Sequence, residues 1–411
     1  MSASAGHPHY ETGMFHFVMR CAFVILTLTV ILSTWGCYSR SASDPTATAA
    51  LAARTRAATN SVARWRWGYI DHQGKQVIVG KYQSAFRFYG GIASVVLWSN
   101  GAQRCAVIEP TGQGLLPNVW PNDWIKPFFE GSAIAGKDSK HWGVIDAAGT
   151  WVVPPTYGDM RGFTEGLSAA AQVDAQGRVR WGYLDSRGQV AIPFTFVDAW
   201  TFLGGVAGVQ LTEDPPTYAL IDPRGQIVAK LGELKPDQRL YEGLICVTSR
   251  TDQGPRYGYC NRRGQLVIPV RFSYADRFSN GLAAVSDTVG GPEYYINHAG
   301  ERAIAASFRS AVTFEEGVAV VEPLEANRPW CVIDTSGRVV LRPEHLAWAH
   351  SVFSEGLLLV REIRSDGERG LYGYMDHQGT LAIPPQYLNA HSFGEGLASA
   401  LMAVDGDEEE H

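Results

Sequence analysis

Carboxylates and carboxamides recur along this chain at nearly even intervals: Asp71, Asp146, Asp185, Asp222, Asn261, Asn297, Asp334 and Asp376. Such a series raises the question of calcium, which takes about 6–8 oxygens gathered at one place. Here each recurrence supplies a single side chain, and Glu109 replaces it in one of them. The series reads as turn initiators. A second acidic series, Glu130, Glu165, Glu242, Glu316, Glu355 and Glu395, always precedes a glycine. A group that recurs at one position of every unit serves the unit, so this series also reads as structural. Glycoside hydrolysis needs two carboxyls facing one cleft. Asp123, Asp138, Glu213 and Asp214 stand off the regular positions, and nothing in the sequence pairs them. No catalytic residue is assigned. His72 and His377 occupy the same turn position and read as solvated. No His or Cys spacing matches a zinc site, and no glycine-rich phosphate loop is present. Neither a metal nor another cofactor is expected.

Beyond the N-terminal segment the cysteines are Cys105, Cys246, Cys260 and Cys331. Cys246 and Cys260 fall on consecutive strands joined by a loop containing Gly254-Pro255. They either form a disulfide, in an oxidising compartment, or serve as two small buried apolar groups. Trp98, Trp120 and Trp124 lie off the regular positions. Tryptophans so placed either form a surface that stacks on a sugar or anchors a protein, or cover the repeat array.

The elements that hold these residues are repeats. Nine glycines mark them: Gly74, Gly112, Gly149, Gly188, Gly225, Gly264, Gly300, Gly337 and Gly379, spaced by 36 to 42 residues. A second glycine follows each, by 17 residues in six units and 18 or 19 in the others. A unit opens with an aromatic-glycine strand such as Trp181-Gly182-Tyr183-Leu184-Asp185. An Asp-x-x-Gly turn follows, the signature of a type I turn. Next comes a β-branched strand expected to stop at proline, as in Val190-Ala191-Ile192-Pro193. An aromatic-rich connection then leads to the second glycine and a last strand, such as Gly281-Leu282-Ala283-Ala284-Val285. The loop from that strand to the next unit varies in length.

The consensus Trp-Gly-aromatic-Ile-Asp-x-x-Gly-x-x-Val-Ile-Pro, followed by Phe-x-Glu-Gly-Leu-Ala, resembles the WG-repeat family of bacterial proteins over about residues 64–404. The resemblance implies an exported β-repeat protein and carries no shared catalytic residues.

One unit of about 38 residues cannot fold alone. Ordering it costs on the order of 55 kcal/mol, whereas five large buried side chains return about 10 kcal/mol. The units must stack. The class is therefore all-β: nine tandem units of three to four strands. Two architectures fit the period, an open β-solenoid or superhelix and a β-propeller. Nine units exceed the usual ~4–8 blades. The array also begins with a unit's first strand and ends with a unit's last, so none remains to close a ring by exchange. The open form is expected.

Residues 1–37 read as a signal peptide. Arg20 precedes the apolar run Cys21–Leu32, which is shorter than the ~20 residues that span a bilayer. Gly36-Cys37 resembles the end of a bacterial lipoprotein signal, which would make Cys37 the lipidated residue. An uncleaved signal anchor is the alternative. Residues 38–63, rich in Ser, Ala, Thr and Arg, read as a linker, and residues 405–411 as an acidic tail. The net charge of −6 gives no electrostatic case for nucleic acid. The expectation is an exported, membrane-anchored binding or scaffolding protein of the cell envelope, with its repeats outside the cytoplasm and a protein or glycan partner. An envelope enzyme acting on glycans or peptides is the alternative.

Overall fold

A computed structural model describes residues 64–404, apart from 100–101, 116–119, 122–124, 126–130, 139, 326–328, 344, 349–350 and 366–368. Residues 61–411 form one compact unit. Signal, linker, Cys37 and acidic tail lie outside the described residues.

The described residues form nine antiparallel sheets, seven with four strands and two with three. They are the blades of a closed nine-bladed β-propeller. Each blade joins the second half of one unit to the first half of the next. In blade 4, the strands Asp159–Met160 and Leu167–Val173 come from the third unit; Val179–Asp185 and Val190–Phe196 come from the fourth. We number each blade by the unit that gives its last two strands.

This half-unit offset overturns the expected open array. In blade 1 the last strand of the chain, Ala398–Val404, pairs with the first, Arg64–Ile70, from Arg64↔Val404 to Ile70↔Ala398. Asn389–Ala390 and Gln76–Tyr82 complete that sheet. An array that starts with a unit's first strand and ends with its last is what such a closure requires.

The aromatic-glycine strand explains itself at Gly182. A Cβ there would lie 2.6 Å from the Ile192 carbonyl oxygen, because the outer strand bulges over it. The bulge is visible in the register, where Tyr183 pairs with Ile192 and Trp181 with Phe196. The outer strand therefore continues past Pro193 instead of ending there: the missing N–H is absorbed by the bulge. The turn before it follows the sequence reading. The Gly188 N–H donates to the Asp185 carbonyl at 2.9 Å, and Asp185 Oδ1 accepts from the Arg187 and Gln189 N–H groups. Gly188 takes φ +77°, a left-handed conformation that glycine adopts without cost.

The aromatic-rich connection holds a two-residue strand in five of the nine units. It lies at the inner edge of the ring. Loops beside it meet across blades, and Arg87 of blade 2 even reaches Ser354 of blade 9, two blades away, at 2.9 Å. The Val-Ile-Pro strand lies at the outer edge, alternately exposed and buried. The core is formed between blades: Ala169, Trp181, Tyr183 and Ile192 of blade 4 pack with Phe202, Val209 and Ile221 of blade 5. Five units bury a tyrosine whose hydroxyl donates to a carbonyl 17 residues on, as Tyr183 does to Trp200 at 2.7 Å. The same ring tilts against a phenylalanine, Phe202, with centroids 4.9 Å apart.

Candidate binding surface

Strand direction repeats around the ring, so each type of connection collects at one end. The Asp-x-x-Gly turns and the Phe-x-Glu-Gly loops share one end. The hairpins of variable length share the other.

At the first end the recurrent polar residues are used by the fold. The Asp and Asn side chains accept their own turn N–H groups, for example Asp71 Oδ1 from Gln73 and Lys75. Asp334 also takes a hydrogen bond from the Ser336 hydroxyl, which with its Arg338 contacts holds its pKa down at about 2. The recurrent glutamates bind the next blade. Glu165 accepts from the Gly204 and Gly205 N–H groups at 2.5 and 2.9 Å. Glu242 accepts from Gly281, Glu316 from Gly356, and Glu355 from Gly396, each at 3.0 Å. These glutamates have φ near +50°, a costly conformation for a residue with a Cβ. The carboxylate latch holds it. Sequence reasoning identified the series as structural but not as a latch between blades.

Three latches carry a histidine. His72, His298 and His377 lie 3.0, 3.0 and 3.4 Å from Glu355, Glu242 and Glu316. Their rings pack on Phe393, Phe278 and Phe353, with centroids 4.1–4.6 Å apart. His72 and His377 are thus inter-blade contacts, not freely solvated turn residues.

Cys246 and Cys260 lie on neighbouring strands but do not bridge. Cys260 is opposite Ile245, while Cys246 is opposite Tyr259. That one-residue offset sends the thiols to opposite faces of the sheet, Cys260 into the core shared with blade 5 and Cys246 into the core shared with blade 7. Both are free and buried, and burial pushes both thiol pKa values up, that of Cys260 to about 11.

Of the off-register acids, Asp123 lies outside the described residues. Glu213 pairs with Arg180 of the preceding blade at 2.9 Å. Glu213 and Asp214 share one exposed hairpin tip. A carboxylate that sequence reading missed stands out more. Glu293, seven residues before Gly300, falls where Trp67, Trp142, Trp181 and Trp330 fall before their own glycines. It is half-buried. Burial raises its pKa and the charges of Asp276 and Glu322 add to this, against a hydrogen bond from the Ala311 N–H. Aligning every unit on its turn glycine is the signal that finds it. Among the described residues no cluster of three or more His, Cys, Asp or Glu has a metal-binding arrangement.

At the hairpin end, Trp98 is 45% exposed. Trp98 pairs with Gln103 beside the hairpin, and Cys105, midway along the same strand, pairs with Trp120, so Trp98 and Trp120 share one sheet. Trp124 lies outside the described residues.

These features define a closed nine-bladed propeller assembled from repeated β units. Residues 67–97, 142–175, 181–213, 257–287 and 372–402 match the repeat family described as WG containing repeat. No curated protein matches the chain. A crystal structure of the eukaryotic initiation factor is similar at TM-score 0.52 and 8% identity, over 78% of this chain and 95% of that one. Dipeptidyl peptidase 4 of Porphyromonas gingivalis gives TM-score 0.45 and 9% identity, over 72% of this chain and 58% of that one. At such identity the first likeness speaks to the fold alone.

Proposed function

We propose that this protein is an exported binding or scaffolding module of the cell envelope, held at the membrane through its N-terminal segment, and that it engages a protein or glycan partner with its hairpin end. The observation that supports this reading is the division of labour between the two ends. Recurrent acids and histidines at one end are spent on closing their own turns and on latching blades together. The other end carries hairpins of unequal length and an exposed Trp98 in the sheet of Trp120. Variable loops on a rigid frame are the usual seat of specificity.

The test is site-specific photo-crosslinking in the envelope of a bacterial host, with the crosslinker at position 98 or, at the opposite end, at position 89. A discrete adduct from position 98 alone, lost on glycosidase or protease digestion, supports the reading and tells glycan from protein. Adducts from position 89 alone, or from neither, sink it. Fractionation of wild type and Cys37→Ser, with intact masses, tests export and lipid attachment separately.

A further inference from the structure

The Asp-x-x-Gly turns have one length in every unit, so each turn residue can be compared around the ring. The third turn position is uncharged in six units: Gln73, Thr111, Ala148, Ala299, Ser336 and Gln378. In the other three it is arginine. These are Arg187, Arg224 and Arg263, on the consecutive blades 4, 5 and 6. Arg262 stands beside Arg263, with its guanidinium over Gly204 of blade 5. All four arginines are exposed. None is in an ion pair among the described residues. The acids of this sector face backbone instead. Asp185 and Asp222 accept their own turn N–H groups, Glu165 those of Gly204 and Gly205, and Glu242 that of Gly281. The guanidiniums are left without a carboxylate partner.

Aliphatic side chains follow each arginine by three or four residues. Val190 is 56% exposed, Ile227 and Val228 46% each, Leu266 48% and Val267 41%. They open the outer strands directly after the turns: Val190 pairs with Leu184, Ile227 with Ile221, and Leu266 with Cys260. The opposite end of blades 5 and 6 is acidic, with Glu213, Asp214 and Asp252 on exposed hairpin tips. These blades are therefore polarised, basic and aliphatic at the turn end and acidic at the hairpin end. Cations beside exposed aliphatic groups on one rim are the combination that holds a protein to an anionic lipid surface.

We propose that the turn-end rim of blades 4, 5 and 6 docks on an anionic lipid surface, with Arg187, Arg224 and Arg263 at the headgroup phosphates and the aliphatic side chains at the acyl boundary. The inference rests on the envelope location proposed above and adds which face meets the membrane. It leaves the hairpin end, with Trp98, turned away from lipid and open to a partner. An arginine near an anionic surface strengthens attachment about fivefold, so the three turn arginines together account for about a hundredfold.

The test uses the full chain with an environment-sensitive fluorescent amino acid at position 190, at position 266 or, on the hairpin end, at position 252. All three sites are exposed, so folding should survive. The protein is floated with vesicles of phosphatidylethanolamine and phosphatidylglycerol, with and without brominated lipid, and with vesicles of phosphatidylcholine. The expected result is blue-shifted, bromine-quenched emission at 190 and 266 but not at 252, on the anionic vesicles alone. The combined variant Arg187→Gln, Arg224→Gln and Arg263→Gln should return both labels to water with its melting temperature unchanged. Flotation with all three labels in water leaves the envelope reading standing and overturns the docked rim, as does quenching at 252 instead of 190 and 266. Quenching that the triple variant keeps also overturns it. A response at 190 and 266 to soluble polyphosphate, without quenching by brominated vesicles, would make the rim a polyanion site and overturn the lipid assignment. Failure to float overturns both the docked rim and membrane attachment.

Discussion

Glu395 of the ninth unit accepts hydrogen bonds from the N–H groups of Gly90 and Gly91 of the first unit, at 2.5 and 2.7 Å. It is the same latch that joins Glu165 to Gly204 and Gly205 within the array. The ring closes with the chemistry it uses between blades 4 and 5, 6 and 7, 8 and 9, and 9 and 1, and the chain break falls inside a blade.

The latch and the backbone strain at Glu395 can be separated. Glu395→Ala removes two charge-assisted bonds and keeps a Cβ at φ +55°. Glu395→Gly removes the bonds and the strain together. The sites are exposed, so loss of the latch should cost about 1 kcal/mol, while relief of a left-handed residue returns a similar amount. Thermal melts should rank wild type and Glu395→Gly close together, with Glu395→Ala lowest. Equal melting for the two variants would show that φ at this position is not a burden.

Two buried tyrosines make a sharper comparison. The Tyr183 hydroxyl donates to the Trp200 carbonyl at 2.7 Å, and burial drives its pKa far up. Tyr183→Phe leaves that carbonyl without its donor and should cost about 1–3 kcal/mol. The Tyr82 hydroxyl is also buried, with its pKa pushed up to about 12, but has no hydrogen-bond partner among the described residues. Tyr82→Phe should be neutral or stabilising in the same denaturant titration. Equal losses at both positions would refute the assignment.

The turns and the aromatic-glycine strands were legible because they recur, and Asp185 and Gly188 announce a turn; the close approach at Gly182, set by the bulge of the outer strand, was not read. The closure was not legible. Spacing and alternation say that Val179–Asp185 pairs with something on each side, not that its partner Leu167–Val173 belongs to the previous unit. An open array and a ring share that pattern, and they differ only in whether Arg64–Ile70 meets Ala398–Val404. The Cys246–Cys260 bridge failed for a related reason. Adjacent strands were inferred correctly, but a single residue of register decides which face a side chain takes.

The thiols give a direct check on that register. Cys105, Cys246, Cys260 and Cys331 are all buried, and none is in a disulfide. In the native protein they should resist a thiol reagent, and all four should react in denaturant. Adding reductant should leave the melting temperature unchanged. A drop in melting temperature with reductant, or a mass two hydrogens short in a peptide pair spanning 246 and 260, would mean that the strand register is different.

Glu293 ties one carboxyl to the pH dependence of the fold. Its folded pKa is raised, mainly by burial, above the ordinary 4.5. A folded state that holds its proton more tightly gains stability below the unfolded pKa. It loses that stability as pH rises through 4.5 toward the folded value. At neutral pH the ionised, half-buried carboxylate is therefore a net cost, and Asp276 and Glu322 add repulsion. Glu293→Gln keeps an oxygen for the Ala311 N–H and removes the charge. Its melting temperature should exceed that of wild type at pH 7, and the gap should close as pH falls below 4.5. A gap that is constant with pH would show that ionisation of this carboxyl is not what distinguishes the two proteins. A less stable variant at pH 7, with the fold intact, would place a cationic partner at Glu293, the one carboxylate that stands where four other units carry tryptophan.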